Sequence, residues 1–310
     1  MTNAMIQKAR RRKLWRSRMR TSGLITAAVF LGLMSVIFIL PIVLTITNSF
    51  MSQSEIASNY GKIFTSVTSA GTYVADRVNL KLIPDLVSFS QYGTVLLRSP
   101  DYLFKFWNSV VLVVPITVLQ TAVALLAAYG FARFQTRARN FLFFVYIVIM
   151  LMPYQVTLVP NFLVAEFLGI LDTRWAIWLP GIFSPFAVFI LTKFMRRVPK
   201  AVIEAAKLDG AGEWQIFSRV MAPMARNIIV SVLLLVFIDY WNMVEQPLVL
   251  LTGDAVDLHP LSVFLSKINT GDAGLAFAVA TVYLIIPLSV FLYFEDELVE
   301  GVSYAGGIKG

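Results

Sequence analysis

Long apolar stretches alternate with polar segments along the chain, and six of them are long enough to cross a membrane. We predict spans at residues 23–47, 106–130, 140–163, 175–193, 227–251 and 273–294. A helix needs about 20 apolar residues to cross the hydrocarbon core, because every unpaired backbone group in lipid is costly. Five stretches are free of charge except at their very ends, and the fifth along the chain carries Asp239 and Glu245. The pattern predicts an all-α polytopic membrane protein with six transmembrane helices.

The N-terminal segment 1–22 is basic and precedes an apolar run, as the start of a secretory signal does. The run at 23–47 is longer than the apolar core of a signal, which is usually about 7–15 residues. We therefore predict a retained first helix that follows a basic cytoplasmic segment.

Lysine and arginine set the predicted orientation through the positive-inside rule. With the N-terminus inside, the cytoplasmic segments hold 19 of the 26 basic residues. Trp107, Trp175 and Trp178 then fall at outer interfaces, where amphipathic rings prefer to lie. We predict that both termini are cytoplasmic, and that the cytoplasmic segments include 1–22, 194–226 and 295–310. Because topology explains the net charge of +8, we expect no nucleic-acid partner.

Two predicted extracytoplasmic segments are long enough to carry structure of their own. Residues 48–105 are too polar for a further span, and we expect part of them to pack as short helices; a disordered loop is the alternative. The other spans and their connections form a core at 106–294. Its outer loop at 252–272 contains His259, which we interpret as structural rather than as a ligand.

Composition supports lipid as the solvent and excludes several site types. The chain is 58% hydrophobic and 14% charged, whereas a soluble domain carries roughly a quarter of charged residues. The absence of cysteine excludes disulfides and thiolate metal sites, and the single histidine excludes a multi-histidine cluster. We expect no metal and no cofactor in this chain.

The cytoplasmic segment 194–226 has the signals of two short helices joined by a turn. Pro199 suits the first turn of a helix and Gly210 suits the position just past its end. A second short helix is expected to begin near Glu213. These signals predict a helix–turn–helix on the inner face of the membrane.

Charges support the first of these helices, because Glu204 can pair with Lys207 or Lys200 on one face. The local physics also fits a simpler alternative, in which an amphipathic interfacial helix only anchors the loop.

Short motifs in this chain fall in a recognisable order. The segment 194–226, called the EAA loop below, contains Glu204-Ala205-Ala206, Asp209-Gly210-Ala211 and Pro223. This spacing resembles the loop of ABC importer permeases, and its longer form resembles the carbohydrate-uptake branch, of the maltose and glycerol-phosphate type. Further matches follow the family order and are Phe106-Trp107-Asn108-Ser109, Ala127-Ala128-Tyr129-Gly130-Phe131-Ala132-Arg133, Tyr240-Trp241-Asn242 and Gly306-Gly307-Ile308-Lys309-Gly310.

The resemblance implies a type I ABC importer permease fold and a coupling role for the EAA loop. Glu204 would make polar contacts with a separate ATPase subunit, Gly210 would allow the sharp turn, and Asp209 would stabilise that turn or the next helix start. Close approach of the two surfaces would be allowed by small side chains, at Ala205, Ala206 and Ala211.

Partners are also implied by the resemblance. They are a second homologous permease subunit, two cytoplasmic ATPase subunits that hold ATP and Mg²⁺, and an extracytoplasmic solute-binding protein, all at a bacterial cytoplasmic membrane. The sequence has no Gly-x-x-x-x-Gly-Lys-Ser/Thr loop. This chain is therefore not expected to be an enzyme.

The fifth span contains a polar face that could line a translocation path. Asp239, Asn242 and Gln246 fall on one side of a continuous helix. Tyr240 and Trp241 nearby supply aromatic surface of the kind that binds sugars. The alternative is that this face packs against the partner permease, with its polar groups bonded across that interface.

Two rival functions fit the chain less well. A secondary transporter or channel would predict charge relays and broken helices in repeated halves, and no repeat is present. An intramembrane enzyme would need paired catalytic groups at membrane depth. A sugar importer permease is the function that these residues favour.

Overall fold

The computed structural model describes residues 3–66, 80–134, 136–267 and 273–306, and these residues contain helices and no β-strand. The first helices are α1 (Asn3–Asn48), α2 (Gln53–Ser66), α3 (Ser90–Gly93), α4 (Pro100–Arg133), α5 (Arg137–Met150), α6 (Tyr154–Phe167), α7 (Trp175–Gly181) and α8 (Pro185–Met195). They are followed by α9 (Lys200–Leu208), α10 (Glu213–Ile216), α11 (Ala222–Met224), α12 (Arg226–Trp241), α13 (Glu245–Leu250), α14 (Leu261–Lys267), α15 (Ala273–Tyr293) and α16 (Glu295–Gly306). The all-α prediction is confirmed.

The chain divides into two compact units. One unit comprises Met1–Gln91 with Thr270–Ala278, and the other comprises Tyr92–Asn269 with Val279–Gly310. The smaller unit has a core of Met51, Ile56 and Tyr60. The presence of α2 and α3 confirms that part of 48–105 packs as short helices, while residues 67–79 lie outside the described part of the chain.

The larger unit is built around α4. Its buried side chains meet those of α8 and α12 in one cluster that includes Ala128, Leu191 and Val232. A second cluster, with Leu112 and Ile177, joins α4 to α7. The EAA loop packs on the first cluster through Ile216, so one buried core positions both the spans and the loop.

The predicted spans all coincide with helices, and two of them are broken. Gly23–Asn48, Pro100–Arg133, Trp175–Met195 and Gly274–Tyr293 are each long and apolar enough to cross a membrane. Two bent helix pairs meet the same test together, Arg137–Met150 with Tyr154–Phe167 at 103° and Glu213–Met224 with Arg226–Trp241 at 76°. Six spans result if each bent pair counts as one.

The predicted third span, 140–163, is wrong as a continuous helix. It ends at Met150 and restarts at Tyr154, with Pro153 as the residue before the second helix. Proline has no N–H to donate, and it disfavours helical backbone at the preceding residue, Met152. A smaller interruption precedes Pro185 in the fourth span, where Ser184 Oγ accepts a hydrogen bond from Ala187 N at 3.3 Å.

The predicted fifth span, 227–251, is also interrupted, between Trp241 and Glu245. The carbonyl oxygens that the break releases find partners elsewhere in the chain. Tyr283 Oη donates to the carbonyl oxygen of Trp241, and Ser262 Oγ donates to that of Met243 at 2.5 Å. Such partners allow non-helical backbone within a span.

Both predicted terminal segments contain helix. The basic segment belongs to α1, which begins at Asn3 and continues into the first span. The predicted tail 295–310 begins with α16, where the carbonyl oxygen of Glu297 accepts a hydrogen bond from Ser231 Oγ at 2.9 Å. At Gly301 a Cβ atom would lie 3.1 Å from the carbonyl oxygen of Asn227, so α16 approaches α12 closely. Residues 307–310 lie outside the described part of the chain.

Candidate functional site

The EAA loop forms the predicted helix–turn–helix. Helix α9 follows Pro199, and Gly210 has a φ of +82°, a conformation that favours glycine. Helix α10 begins at Glu213, as predicted. The side chain of Gln215 caps this second helix, because its Oε1 accepts a hydrogen bond from Gly212 N at 2.9 Å.

The six residues singled out in the EAA motif lie together on this loop. Four of them are exposed, namely Glu204, Ala205, Asp209 and Gly210, while Ala206 and Ala211 are half-buried against the core. Gln215 performs the capping that was expected of Asp209, whose side chain makes no hydrogen bond within the described residues. The loop therefore presents a small, polar surface around Glu204.

Apolar side chains extend that surface. Leu208 is 89% exposed and Trp214 is 68% exposed, although both belong to helical segments of the loop. Large apolar side chains so exposed and so close to each other in the chain are typical of a surface that contacts another protein.

Glu213 is the residue that fixes the loop to α4. Its carboxylate accepts a hydrogen bond from Tyr129 Oη at 2.6 Å and two from Arg133, from Nε and Nη2, each at 3.2 Å. Lys207 Nζ lies 3.2 Å from the same carboxylate. The hydrogen bond from Tyr129, followed by those from Arg133 and Lys207, lowers the pKa of Glu213 from 4.5 to about 2.

Glu204 pairs with neither of its two predicted partners among the described residues, because Lys207 pairs with Glu213 instead and Lys200 forms no salt bridge there. Within the described residues Glu204 makes no salt bridge, which leaves its carboxylate available at the surface. Two features of the sequence indicate the observed contact: Tyr129 and Arg133 lie one turn apart at the end of a span, and Glu213 opens a helix.

A polar cavity of about 450 Å³ lies at the two breaks in the spans. It is lined by Tyr154, Gln155, Asp239, Tyr240, Asn242, Met243, Val244, Glu245 and Gln246. One wall follows the break between α5 and α6, and the other wall is the break between α12 and α13. Gln155 Nε2 lies 3.3 Å from the carboxylate of Glu245 and links the two walls.

Four of the five predicted path residues line this cavity: Asp239, Tyr240, Asn242 and Gln246. Their proximity comes from the break and not from a continuous helical face, since Asn242 follows α12 and Gln246 belongs to α13.

Trp241 is the exception, and its assignment to the path is corrected. Its side chain is 1% exposed, and its ring stacks on those of Phe237 and Tyr283, with 5.3 Å between centroids in both pairs. Sequence reasoning missed Tyr154, Gln155 and Glu245. The first two follow Pro153, and that proline is the signal that could have located them.

The motif at 106–109 serves to hold the loop at 252–272. Asn108 Nδ2 donates to the carbonyl oxygen of Asp257 at 2.6 Å, and Ser109 Oγ accepts from Leu261 N at 2.9 Å. His259 is buried, and its Nε2 lies 2.8 Å from the carbonyl oxygen of Leu251. The structural interpretation of His259 is therefore confirmed. No group of three or more potential metal ligands occurs among the described residues.

Comparison with protein families places most of the chain in a single match. Residues 120–300 match the model of the family described as binding-protein-dependent transport system inner membrane component. The matched range includes the EAA loop and the polar cavity.

Similar proteins extend this match over nearly the whole chain. The arabinooligosaccharides transport system permease protein AraQ of Bacillus subtilis is 27% identical, covering 92% of this chain and 96% of AraQ. The osmoprotective compounds uptake permease protein GgtD of Synechocystis sp. is 34% identical, covering 70% of this chain and 74% of GgtD.

A solved structure has the same fold. It is a chain in the crystal structure of a bacterial ABC transporter involved in the import of the acidic polysaccharide alginate. The match has a TM-score of 0.72 and 23% identity, covering 89% of this chain and 96% of that one. The predicted importer permease fold is thereby confirmed.

The Glu213 contacts generate a testable prediction. We expect Glu213→Gln to loosen the EAA loop and to lower the free energy of unfolding by about 1 kcal/mol, because hydrogen bonds to a charged group are lost. Thermal unfolding of the purified protein in detergent measures the change. The control is Glu166→Gln, which removes an exposed carboxylate from α6. Equal stability of the two variants would show that Glu213 does not anchor the loop.

The same comparison has a defined pH dependence. Because folding lowers the pKa of Glu213 from 4.5 to about 2, its stabilising contribution is complete above pH 4.5 and is lost as pH falls toward 2. The stability difference between wild type and Glu213→Gln should therefore be constant from about pH 7 to about pH 5 and shrink below that range.

Proposed function

Because this chain belongs to the family of binding-protein-dependent transport system inner membrane components, we propose that it is the permease subunit of an ATP-driven importer of a sugar or oligosaccharide. The single observation that carries the proposal is the exposed EAA helix–turn–helix, fixed to α4 by Glu213. The resemblance to AraQ supports a carbohydrate as the substrate.

The energy for transport comes from another polypeptide, since the chain has no phosphate-binding loop. We assign the contact with that ATPase to the EAA loop. Glu204 makes polar contacts, and Leu208 and Trp214 supply the apolar area that docking requires. A short two-helix element attached to a buried core can transmit closure of the ATPase subunits to the spans.

The proposed assembly contains this chain and three kinds of partner. This chain pairs with a second homologous permease, two ATPase subunits bind ATP and Mg²⁺, and a solute-binding protein delivers substrate on the opposite face. Both termini and the EAA loop lie in the cytoplasm of a bacterial cell, as the distribution of lysine and arginine indicates.

The polar cavity is the proposed substrate path within this subunit. Carboxylate and amide groups accept and donate hydrogen bonds as sugar hydroxyls require, and Tyr154 and Tyr240 add aromatic surface. Polar groups at membrane depth otherwise need a partner helix. Packing of these polar groups against the second permease is therefore the alternative, and an experiment must distinguish it from contact with the substrate.

The orientation can be tested because the chain has no cysteine. We introduce Leu86→Cys, at a site that is 78% exposed, and Arg137→Cys, at an exposed site that opens α5. A membrane-impermeant maleimide should label the first variant in intact cells and the second only after permeabilisation. The reverse pattern would invert the proposed topology.

Coupling is tested with Gly210→Val and Glu204→Lys. Valine at a positive φ costs about 1–3 kcal/mol and prevents the turn, and lysine replaces a polar attraction with an unpaired or repulsive contact. Both variants should insert in the membrane, lose uptake and lose substrate-stimulated ATP hydrolysis, while the isolated ATPase keeps its basal rate.

Matched controls exist for both substitutions. Gly169→Val imposes the same backbone strain, at φ +66°, in the connection between α6 and α7, and Glu166→Lys reverses an exposed charge on α6. If Gly210→Val and Glu204→Lys transport at the wild-type rate, the loop is only an interfacial anchor and the coupling assignment is lost.

The path assignment is tested with Asn242→Ala and Gln246→Ala. Each should reduce uptake several-fold by removing hydrogen bonds to the substrate, with the assembled complex recovered in normal yield. Asn161→Ala is the control, since this amide on α6 lies outside the polar cavity. Loss of the permease pair on purification would instead favour helix packing.

A further inference from the structure

A second cavity, separate from the proposed path, lies between the EAA loop and the ends of the spans. Its volume is about 700 Å³, and it is bounded by the Arg133 end of α4, the residues that follow α8, and one face of α9. We call it the basic cleft. Its lining residues are Ala132, Arg133, Arg139, Met195, Arg196, Val198, Lys200, Ile203, Glu204, Lys207 and Met221.

The basic cleft holds an excess of positive charge. Five of its lining residues are cationic and one, Glu204, is anionic. Glu213 partly neutralises Arg133 and Lys207, because it forms salt bridges with both. For the remaining cations, Arg139, Arg196 and Lys200, Glu204 is the one carboxylate among the lining residues.

Arg139 carries part of this positive charge within the basic cleft. Its Nη2 donates to Asn140 Oδ1 at 2.7 Å, but its Nε and Nη1 are buried with no hydrogen-bond partner among the described residues. Unpaired buried donors are costly, roughly 1–3 kcal/mol each and more when charged. An acceptor that approaches this guanidinium through the cleft would satisfy these donors.

Arg196 supplies a second guanidinium to the same cleft. It lies over the ring of Phe143, 4.6 Å from the centroid, and its Nη2 donates to the carbonyl oxygen of Phe131 at 3.3 Å. Burial, and then the neighbouring charge of Arg139, lower the pKa of Arg196. Two guanidinium groups near each other are a common arrangement for binding a phosphate group.

The surroundings of the cleft indicate where the phosphate comes from. The cleft lies where α4 and α8 end and α5 begins, a depth at which lipid headgroups occur if these helices span the membrane. Phe134, Phe141 and Phe144 are exposed in the same part of the chain, although none of them lines the cleft. A basic pocket at the depth of the headgroups fits the phosphate of an anionic lipid.

We infer that the basic cleft binds the phosphate of an anionic phospholipid, with Arg139 and Arg196 as the donors that contact it. The site lies at the ends of the spans and shares lining residues, Glu204 among them, with the EAA loop. Gly210 does not line the cleft, so a transporter that fails the Gly210→Val test can still bind this lipid, and the two outcomes are distinguishable.

Native mass spectrometry of the purified transporter in detergent tests the inference. Phosphatidylglycerol or phosphatidylcholine is added, and the lipid retained on the permease is counted. Wild type should retain phosphatidylglycerol preferentially. The double variant Arg139→Gln, Arg196→Gln should lose about tenfold in retention, since charge-assisted hydrogen bonds are removed.

The control is Arg137→Gln, which removes an exposed cation from the same first turn of α5 without altering the cleft lining, and it should retain the lipid as wild type does. If the double variant does not assemble, Lys200→Gln at the cleft should lower retention two- to threefold, as roughly expected for a weaker exposed charge. An equal response of control and test variants overturns the inference.

Two further results would also overturn the lipid as the occupant. Displacement of phosphatidylglycerol by millimolar inorganic phosphate, with phosphate retained in its place, would assign the site to the free ion. Weaker binding of the ATPase subunits by the double variant, with unchanged lipid retention, would assign the cleft to an acidic side chain of that partner.

Discussion

Every span of this protein must satisfy its backbone hydrogen bonds without water, and the rest of the structure follows from how it does so. The unbroken helices meet the requirement within themselves. At the break after α12, the hydroxyls of Tyr283 and Ser262 bond the carbonyl oxygens that the break releases. Both breaks line the same polar cavity. The two carboxylates within the predicted spans, those of Asp239 and Glu245, thus lie where the backbone is already irregular.

The EAA loop depends on a different interaction, the carboxylate of Glu213. Tyr129 and Arg133 approach it from α4, and Lys207 approaches it from α9. One acidic side chain therefore joins both helices of the loop to a span. Because Lys207 is used in this way, Glu204 stays free of an internal salt bridge among the described residues. The exposed residues of the EAA motif can meet a partner while the buried side of the loop stays attached.

Sequence patterns within a single segment predicted the features of the fold that depend on that segment alone. Apolar length located four candidate spans and the helices of the two bent pairs, and the requirement of positive φ located the turn at Gly210. Contacts between distant residues decided the rest. Helix α12 ends where Tyr283 and Ser262 can bond its last carbonyl oxygens, so a continuous helical face was the wrong assumption for Gln246, and stacking on Tyr283 placed Trp241 in the core. Sequence spacing also could not show that Lys207 pairs with Glu213 rather than with Glu204.

Helix α4 holds a different loop near each of its ends, and movement can therefore be transmitted along it. Asn108 and Ser109 hold the loop at 252–272, and Tyr129 and Arg133 hold the EAA loop. Asn108 and Arg133 are separated by about 38 Å along a continuous helix. Although Pro115 lies within it, α4 is one helix between these points, and a tilt of about 5° about one end of such a rod displaces the other end by about 3 Å. A small rotation of this one helix would therefore move the loop at either end by several times the rotation's effect near its pivot.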